Sequence, residues 1–471
     1  MHEVGHAFAG VEFDAPLIRR LDRSGPRYTS YPTADRFHAG FGAEHYALAV
    51  EQRKLLGNRR PLSLYVHVPF CESVCYYCAC NKIVTRHREQ ADEYLGYLLR
   101  ELDMQRQMFG GQQRIEQLHF GGGTPTYLSH DQLEQLMGAI DAAFPLADDQ
   151  IGEFSIEVDP RTVTPERIAH LRQIGFNRIS LGVQDFDPVV QKAVHREQSF
   201  EQTQELVQAA REQNFRSVSV DLIYGLPHQN VMSFNRTLQQ VLDISPDRIA
   251  IYNYAHLPHV FKPQRRINQD DLPSPEQKLD LLHVCILRLA EAGYVYIGMD
   301  HFAKPTDGLA IAQRHGRLHR NFQGYSTHAD ADLIALGVSA IGAVGPTYHQ
   351  NAKTLPEYYG ALDAGRLPIV RGIALTHDDL LRRTVIHTLL CHAELNKRSI
   401  ETAYPIHFDE TFAPELRELE GMASDGLVTI DSEWITVTPK GRLLVRNIAM
   451  VFDKFLRATV AEPVKRYSRT I

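Results

Sequence analysis

From residue 62 onward the chain alternates two hydrophobic spacings. Short runs rich in β-branched and aromatic residues fall at 64–68, 115–120, 153–158, 178–183, 217–223 and 247–252. Between them, at 92–108, 131–144, 165–174, 200–213 and 233–243, apolar residues recur every third or fourth position. Strand-like runs separated by amphipathic helices predict βαβ crossovers and a parallel sheet. Gly175, Gly225 and Gly293 punctuate element ends. Six such units predict a partial or full (β/α) barrel whose C-terminal strand ends line the site. A longer helix over 275–292 leads to 294–302, read as another strand.

The flanks have a different texture. Residues 24–33 carry Gly25, Pro26 and Pro32 among small hydroxyl residues, which predicts an extended arm. The arm is either solvated or a strap bringing Arg27 and tyrosines to an anionic ligand. Beyond about residue 370, helices over 378–391 and 413–424 precede a hairpin over 427–438 and a final helix over 440–455. That order resembles a winged helix, but no basic recognition helix stands out. Glu415, Glu418 and Glu420 sit where phosphates would be met, so a cap or packing domain is expected and nucleic acid is not. The fold class is α/β: an N-terminal arm and lead-in helix (1–60), a barrel (61–365) and a mainly helical C-terminal domain (366–471).

Composition narrows the setting. The chain has 471 residues, 44% apolar and 23% charged, and 50 basic against 57 acidic residues give a net charge of −7. This excludes bulk basicity as a route to nucleic acid or anionic membranes. No run approaches the roughly 18 apolar residues of a membrane span. The first ten residues hold no Lys or Arg, unlike a secretory signal. Closely spaced thiols then point to a reducing compartment, with cytoplasm as the expectation. His2-Glu3-Val4-Gly5-His6 spells the H-E-x-x-H of zinc proteases, but it begins where chains fray and Gly5 weakens any helix; no metal is assigned there.

The chemistry concentrates after the first strand-like run. Four of the six cysteines, Cys71, Cys75, Cys78 and Cys80, fall within ten residues. Thiolates so grouped call for a metal. Structural zinc is usually closed by four ligands from two separated pairs. Here Cys285 and Cys391 are isolated and distant, and Cys80 lies too close to Cys78 to reach the same centre without strain. The better reading is a [4Fe–4S] cluster on Cys71, Cys75 and Cys78, with one iron open to S-adenosylmethionine (SAM); zinc and free redox thiols are the alternatives. The next run ends in Gly121-Gly122-Gly123-Thr124, where bare backbone lets a ligand's amino-acid end lie close. Glu157, Gln184, Asp185, Arg196 and Asp221 follow at later strand ends.

Together these segments resemble the oxygen-independent coproporphyrinogen III oxidase family of radical SAM enzymes. The resemblance covers almost the whole chain, through 24–33, the C-x3-C-x2-C-x-C of 69–86, 121–128, 156–160, 180–186, 221–227, 252–258, 299–303 and 318–325. It implies that Cys71, Cys75 and Cys78 ligate the cluster and that Cys80 serves catalysis. Tyr65, Tyr77, Gly122, Glu157 and Ile341 match positions contacting the cluster-bound SAM. Gly123, Thr124, Gln184, Arg196, Asp221 and Ala255 match a second SAM site, and Phe322 and Gln323 lie near the reacting substrate. Tyr65 and Glu157 are counted with the catalytic group. Ala79 and His328 stand where other members carry different residues.

The implied reaction is reductive cleavage of SAM to a 5′-deoxyadenosyl radical. That radical takes a β-hydrogen from two propionates of coproporphyrinogen III, leaving vinyl groups, CO2 and protoporphyrinogen IX. Expected partners are this substrate and a one-electron donor such as a flavodoxin or ferredoxin system, with the chain a monomer. Arg27, Lys262, Arg265, Arg266 and Arg320 are candidate clamps for substrate carboxylates. His67, His119, His256, His301 and His319 receive no role. The alternatives are a haem-binding chaperone on the same scaffold, which generally lacks the C-x-C ending, and another radical SAM tetrapyrrole-modifying enzyme.

Overall fold

The computed structural model describes residues 10–55, 57, 60–110, 113–329, 331–457, 467, 469 and 470. The H-E-x-x-H segment lies outside them. Six strands, Leu62–Val68, Ile115–Gly122, Glu153–Val158, Arg178–Gln184, Ser217–Tyr224 and Arg248–Asn253, pair in parallel and in chain order. Helices such as Glu89–Phe109, His130–Ala143 and Phe200–Glu212 form the crossovers. Leu64, Val66, Leu118, Phe120, Ile156, Leu181 and Val220 are almost wholly buried towards those helices.

The sheet is open rather than closed. On one flank the first strand also pairs in parallel with Asp332–Leu336, followed by the antiparallel strands Ile341–Val344, Thr347–Asn351 and Ile369–Ala374. On the other flank lies the antiparallel pair Val295–Gly298 and His301–Ala303. The expected single strand over 294–302 is thus a hairpin, because Gly298 at φ +151° and Met299 at φ +51° turn the chain back. The barrel is partial, and its sheet continues past residue 365 through Ala374. A separate two-stranded hairpin, His319–Asn321 with Gly324–Ser326, pairs only with itself.

Alternate side chains of the parallel strands face a polar lumen. At its floor Arg178 pairs with Glu153 at 2.7 Å and Arg248 with Asp307 at 2.9 Å. Thr327 donates to Glu153 at 3.1 Å, and Gln117 donates to Ser326 at 3.1 Å, which ties the hairpin segment to the lumen.

The arm is packed, not solvated. Tyr28 and Tyr31 are at most 1% exposed, Arg27 pairs with Asp300, and Tyr28 donates to Asp453 at 2.9 Å. The C-terminal domain has the expected helices His377–His392 and Ala413–Ser424 and a three-stranded antiparallel sheet. The expected last helix is broken into Arg442–Leu444, Val445–Met450 and Lys454–Arg457. Buried Asp453 causes the break, since its carboxylate accepts from the Phe455 amide at 2.9 Å and so starts a new helix. Among the described residues no helix is long and apolar enough to cross a membrane.

Candidate active site

The cysteine loop leaves the first strand at Val68, on the C-terminal side of the sheet. Its ends are pinned where Phe70–Cys71 pairs in parallel with Ile83–Val84. The Ile83 amide donates to the Pro69 carbonyl at 2.7 Å and the Thr85 amide to the Cys71 carbonyl at 3.0 Å. Cys75 is buried, Cys71 and Cys78 are half-buried, and Cys80 is exposed. Arg196 and Arg161 each point a guanidinium nitrogen at Cys75 Sγ, at 3.4 and 3.5 Å, and the Thr124 hydroxyl faces Cys71 Sγ at 3.5 Å. Asp159 holds both arginines, at 2.7 Å from Arg161 and 3.2 Å from Arg196. A hydrogen bond from Cys80 pulls the Cys78 thiol down to about 6, whereas burial pushes Cys71 up to about 11.

The glycine triplet lies directly beneath this loop. A Cβ on Gly123 would come within 2.6 Å of the Pro69 carbonyl oxygen and 2.7 Å of that of Phe70. A Cβ on Gly122, at φ +115°, would sit 2.7 Å from the His67 ring. Glu157 accepts from the Gly122 amide at 3.2 Å and pairs with His119 Nε2 at 3.2 Å. Tyr65 stacks on His119 and its hydroxyl meets His67 Nδ1 at 3.0 Å. The Glu157 side chain is 44% open to water although it stands among strand ends, so it faces a recess. Burial works against its charge, but the His119 and Gly122 bonds outweigh that and hold its carboxyl below the usual range. Burial raises the Tyr65 phenol well above the ordinary tyrosine range, and the neighbouring Glu157 and Cys80 charges add to it. Tyr65 and Glu157 share one recess through His119, and the carbonyl of Asn81, the neighbour of Cys80, meets His67 Nε2 there at 3.0 Å.

A second group gathers one strand further on. Arg196 donates to the Gly182 carbonyl at 2.5 and 3.2 Å, and a Cβ on Gly182 would meet both Arg196 and Gln184 within 3.0 Å. Gln184 adopts φ +69° where the register between its strand and the next shifts. Asp221 accepts from Ser180 at 3.2 Å, and burial, reinforced by the Glu157 charge, raises it to about 7. Gln264, 1% exposed, donates to the carbonyls of Tyr77 at 3.0 Å and Ala255 at 3.2 Å, tying the cysteine loop to the end of the sixth strand.

Phe322 and Gln323 form the tip of the hairpin. Phe322 meets Phe37 and Tyr348 edge-on and belongs to the apolar group that includes Ile341. Both polar atoms of the Gln323 amide are buried without a partner. The candidate clamps divide: Arg320 donates to the Arg27 carbonyl at 3.4 Å, while Arg266 lies 5.2 Å over Tyr76 of the cysteine loop. Arg265 bonds the Pro258 carbonyl at 3.0 Å, beside Lys262 in the same short helix. His328 lies at the lumen floor, 3.1 Å from Thr327, and Ala79 stays on the cysteine loop. His67 and His119, given no role from sequence, are built into the recess. His256 meets Tyr254 at 2.9 Å, the His301 ring stands edge-on to Tyr252, and the His319 ring lies 5.6 Å from that of His387. Sequence reading missed Asp159, Arg161 and Gln264. The first two belong to Glu157-Val158-Asp159-Pro160-Arg161, where an arginine beside a strand-end acid was a usable signal; Gln264 carried none.

The residues fit a cluster with SAM. Among the described residues no three His, Cys, Asp or Glu side chains stand close enough to share one metal ion. Three spaced thiols suit a polynuclear cluster, which takes several thiolates, better than four short bonds to one zinc. Binding would deprotonate Cys71 and Cys78 alike. Beside them, the glycines leave a cradle that any Cβ would fill.

Comparison with known proteins agrees. Residues 65–241 match the Radical SAM superfamily and residues 375–444 the HemN C-terminal domain. The oxygen-independent coproporphyrinogen III oxidase of Pseudomonas aeruginosa is 51% identical over 98% of this chain and 99% of its own length. That of Escherichia coli is 49% identical over the same shares. The solved E. coli coproporphyrinogen III oxidase (HemN), described as a radical SAM enzyme, superposes with a TM-score of 0.89 at 48% identity, covering 95% of this chain and all of that one. With its cysteine loop, glycine cradle and C-terminal domain matched from end to end, the chain belongs to the oxygen-independent coproporphyrinogen III oxidase family of radical SAM enzymes.

Proposed function

We propose that this chain converts two propionate side chains of coproporphyrinogen III to vinyl groups without oxygen, giving protoporphyrinogen IX. Each conversion removes a β-hydrogen, CO2 and one electron. The observation that carries the reading is 51% identity over 98% of the chain with an oxidase of that name, with an exposed Cys80 next to the cluster cysteines. When bound, the cluster and SAM supply the one-electron chemistry that starts hydrogen abstraction.

The chain's own residues hold and orient. Cys71, Cys75 and Cys78 hold the cluster, and Arg161, Arg196 and Thr124 offset charge at the sulfurs. Gly122, Tyr77, Glu157 and Ile341 seat the SAM bound there, with Glu157 charged and available to an ammonium or ribose hydroxyl. Gly123, Thr124, Gln184, Arg196, Asp221 and Ala255 line a second SAM site. Tyr65 and Cys80 face the reacting side chain, and Phe322 and Gln323 contact the macrocycle. A one-electron donor such as a flavodoxin or ferredoxin system supplies the cluster, and the chain acts as a monomer. The catalytic unit spans the sheet, and residues beyond it form the cap.

Anaerobic turnover with coproporphyrinogen III, SAM and reductant tests this reading, with the porphyrin product identified by mass and iron and sulfide counted. Cys71→Ala is expected to lose the cluster and all product. Cys80→Ser is expected to keep iron and sulfide and lose vinyl product by at least tenfold. A wild type with a full cluster that makes no vinyl product overturns the reading.

A further inference from the structure

We propose that the rear of the barrel holds a separate oxyanion site that takes carboxylate groups. A cavity of about 420 Å³ opens at the N-terminal strand ends, opposite the cysteine loop. Its walls are the hairpin around Arg320, the strand starts at Ser63 and Asp332, and the helix His377–His392. Arg317, Arg320 and Arg383 all line it, against one acid, Asp332, among the described lining residues. That acid is already engaged by the buried Arg53 and by the Gly345 amide at 2.8 Å. The cavity therefore carries excess positive charge in a sheltered place.

Two buried donors are left over in its wall. Arg320 is 3% exposed and its Nη1 has no partner; His387 is 9% exposed and its Nε2 has none. A buried polar group without a partner is costly, and a guanidinium more so than a neutral group. Arg383 makes one long contact, 3.4 Å to the Tyr348 hydroxyl. Burial, with His319, Arg383 and Arg320 alongside, keeps the His387 imidazole neutral, so it can donate one N–H. An oxyanion among Arg320, Arg383 and His387 satisfies all three. Arginine's planar fork suits carboxylate, and the volume suits a small molecule or the arm of a larger one. Phe322 lines this cavity while packing in the apolar group that includes Ile341, so one hairpin borders both sites.

The carboxylate has two possible sources: a free small polycarboxylate, or the propionate arms of a tetrapyrrole. Only the second rests on the proposed function. Titration calorimetry on the anaerobically prepared holoenzyme, with citrate and with air-stable coproporphyrin III as probes, distinguishes them. At least one probe is expected to bind wild type and to weaken about tenfold or more in Arg383→Gln and in His387→Gln. Citrate binding identifies a free polycarboxylate; porphyrin binding alone identifies the tetrapyrrole arms. Neither probe binding, or equal binding to wild type and to both variants with unchanged cluster absorbance, overturns the site. Failed decarboxylation would leave the citrate result standing.

Discussion

A single carboxylate far from the sulfurs fixes where the cysteine loop begins. Glu101, on the helix Glu89–Phe109, is fully buried and accepts from the Gly337 amide at 2.7 Å, Asn351 Nδ2 at 2.7 Å and the Tyr358 hydroxyl at 2.6 Å. A Cβ on Gly337 would fall 2.7 Å from the His67 carbonyl oxygen, and Tyr94 donates to that same oxygen at 2.7 Å. Burial dominates and lifts the Glu101 carboxyl to about 7, although its three donors pull the other way. A carboxyl raised in the folded state stabilises fully below its unfolded value near 4.5, and that contribution is lost as pH rises through about 7. Glu101→Gln should therefore flatten the decline in urea stability between pH 5 and 8. A wild type and variant with parallel pH profiles would show that Glu101 does not titrate in this range.

Among the elements, the junction of glycine triplet and cysteine loop leaves no room for a Cβ. Two backbone carbonyls fill the space beside Gly123, and they cannot move as a side chain would. Gly123→Ala should cost about 1–3 kcal/mol by overpacking and lower cluster iron after reconstitution. Normal iron content at wild-type stability would show that the loop yields. This junction was legible beforehand because cysteine spacing and the triplet are local signals. The six parallel strands were legible for the same reason, since each is a compact apolar run between amphipathic helices. What escaped was set by distant contacts. The turn at Gly298 and Met299 split an apolar run that reads as one strand, and Asp453 broke a helix by accepting amides and the Tyr28 hydroxyl. Gln264 was missed because a glutamine aimed at a carbonyl 187 positions away leaves no periodic trace.

Across the whole molecule, Arg446 clips the arm to the last described residues. It is 4% exposed and donates to the carbonyls of Gly25, Pro26, Arg469 and Thr470, at 3.0 Å for Pro26 and 3.2 Å for the last two. Arg446→Met would leave those oxygens short of a donor, lower stability by roughly 3 kcal/mol and expose Arg23 and Arg27 to trypsin. Unchanged cleavage would show that Asp300 and Asp453 hold the arm alone. The sheet has a different long-range seam, where the first strand lies between Ile115–Gly122 and Asp332–Leu336. Leu62 meets Asp332 across about 270 residues of chain. A ribosome adding about 5–20 residues per second needs roughly 15–55 s to make that stretch. Throughout that time the strand feeding the cysteine loop has one open edge. Cluster insertion into a rigid loop thus belongs after Asp332–Leu336 has been made and paired, and nascent chains halted before residue 332 should take up iron poorly.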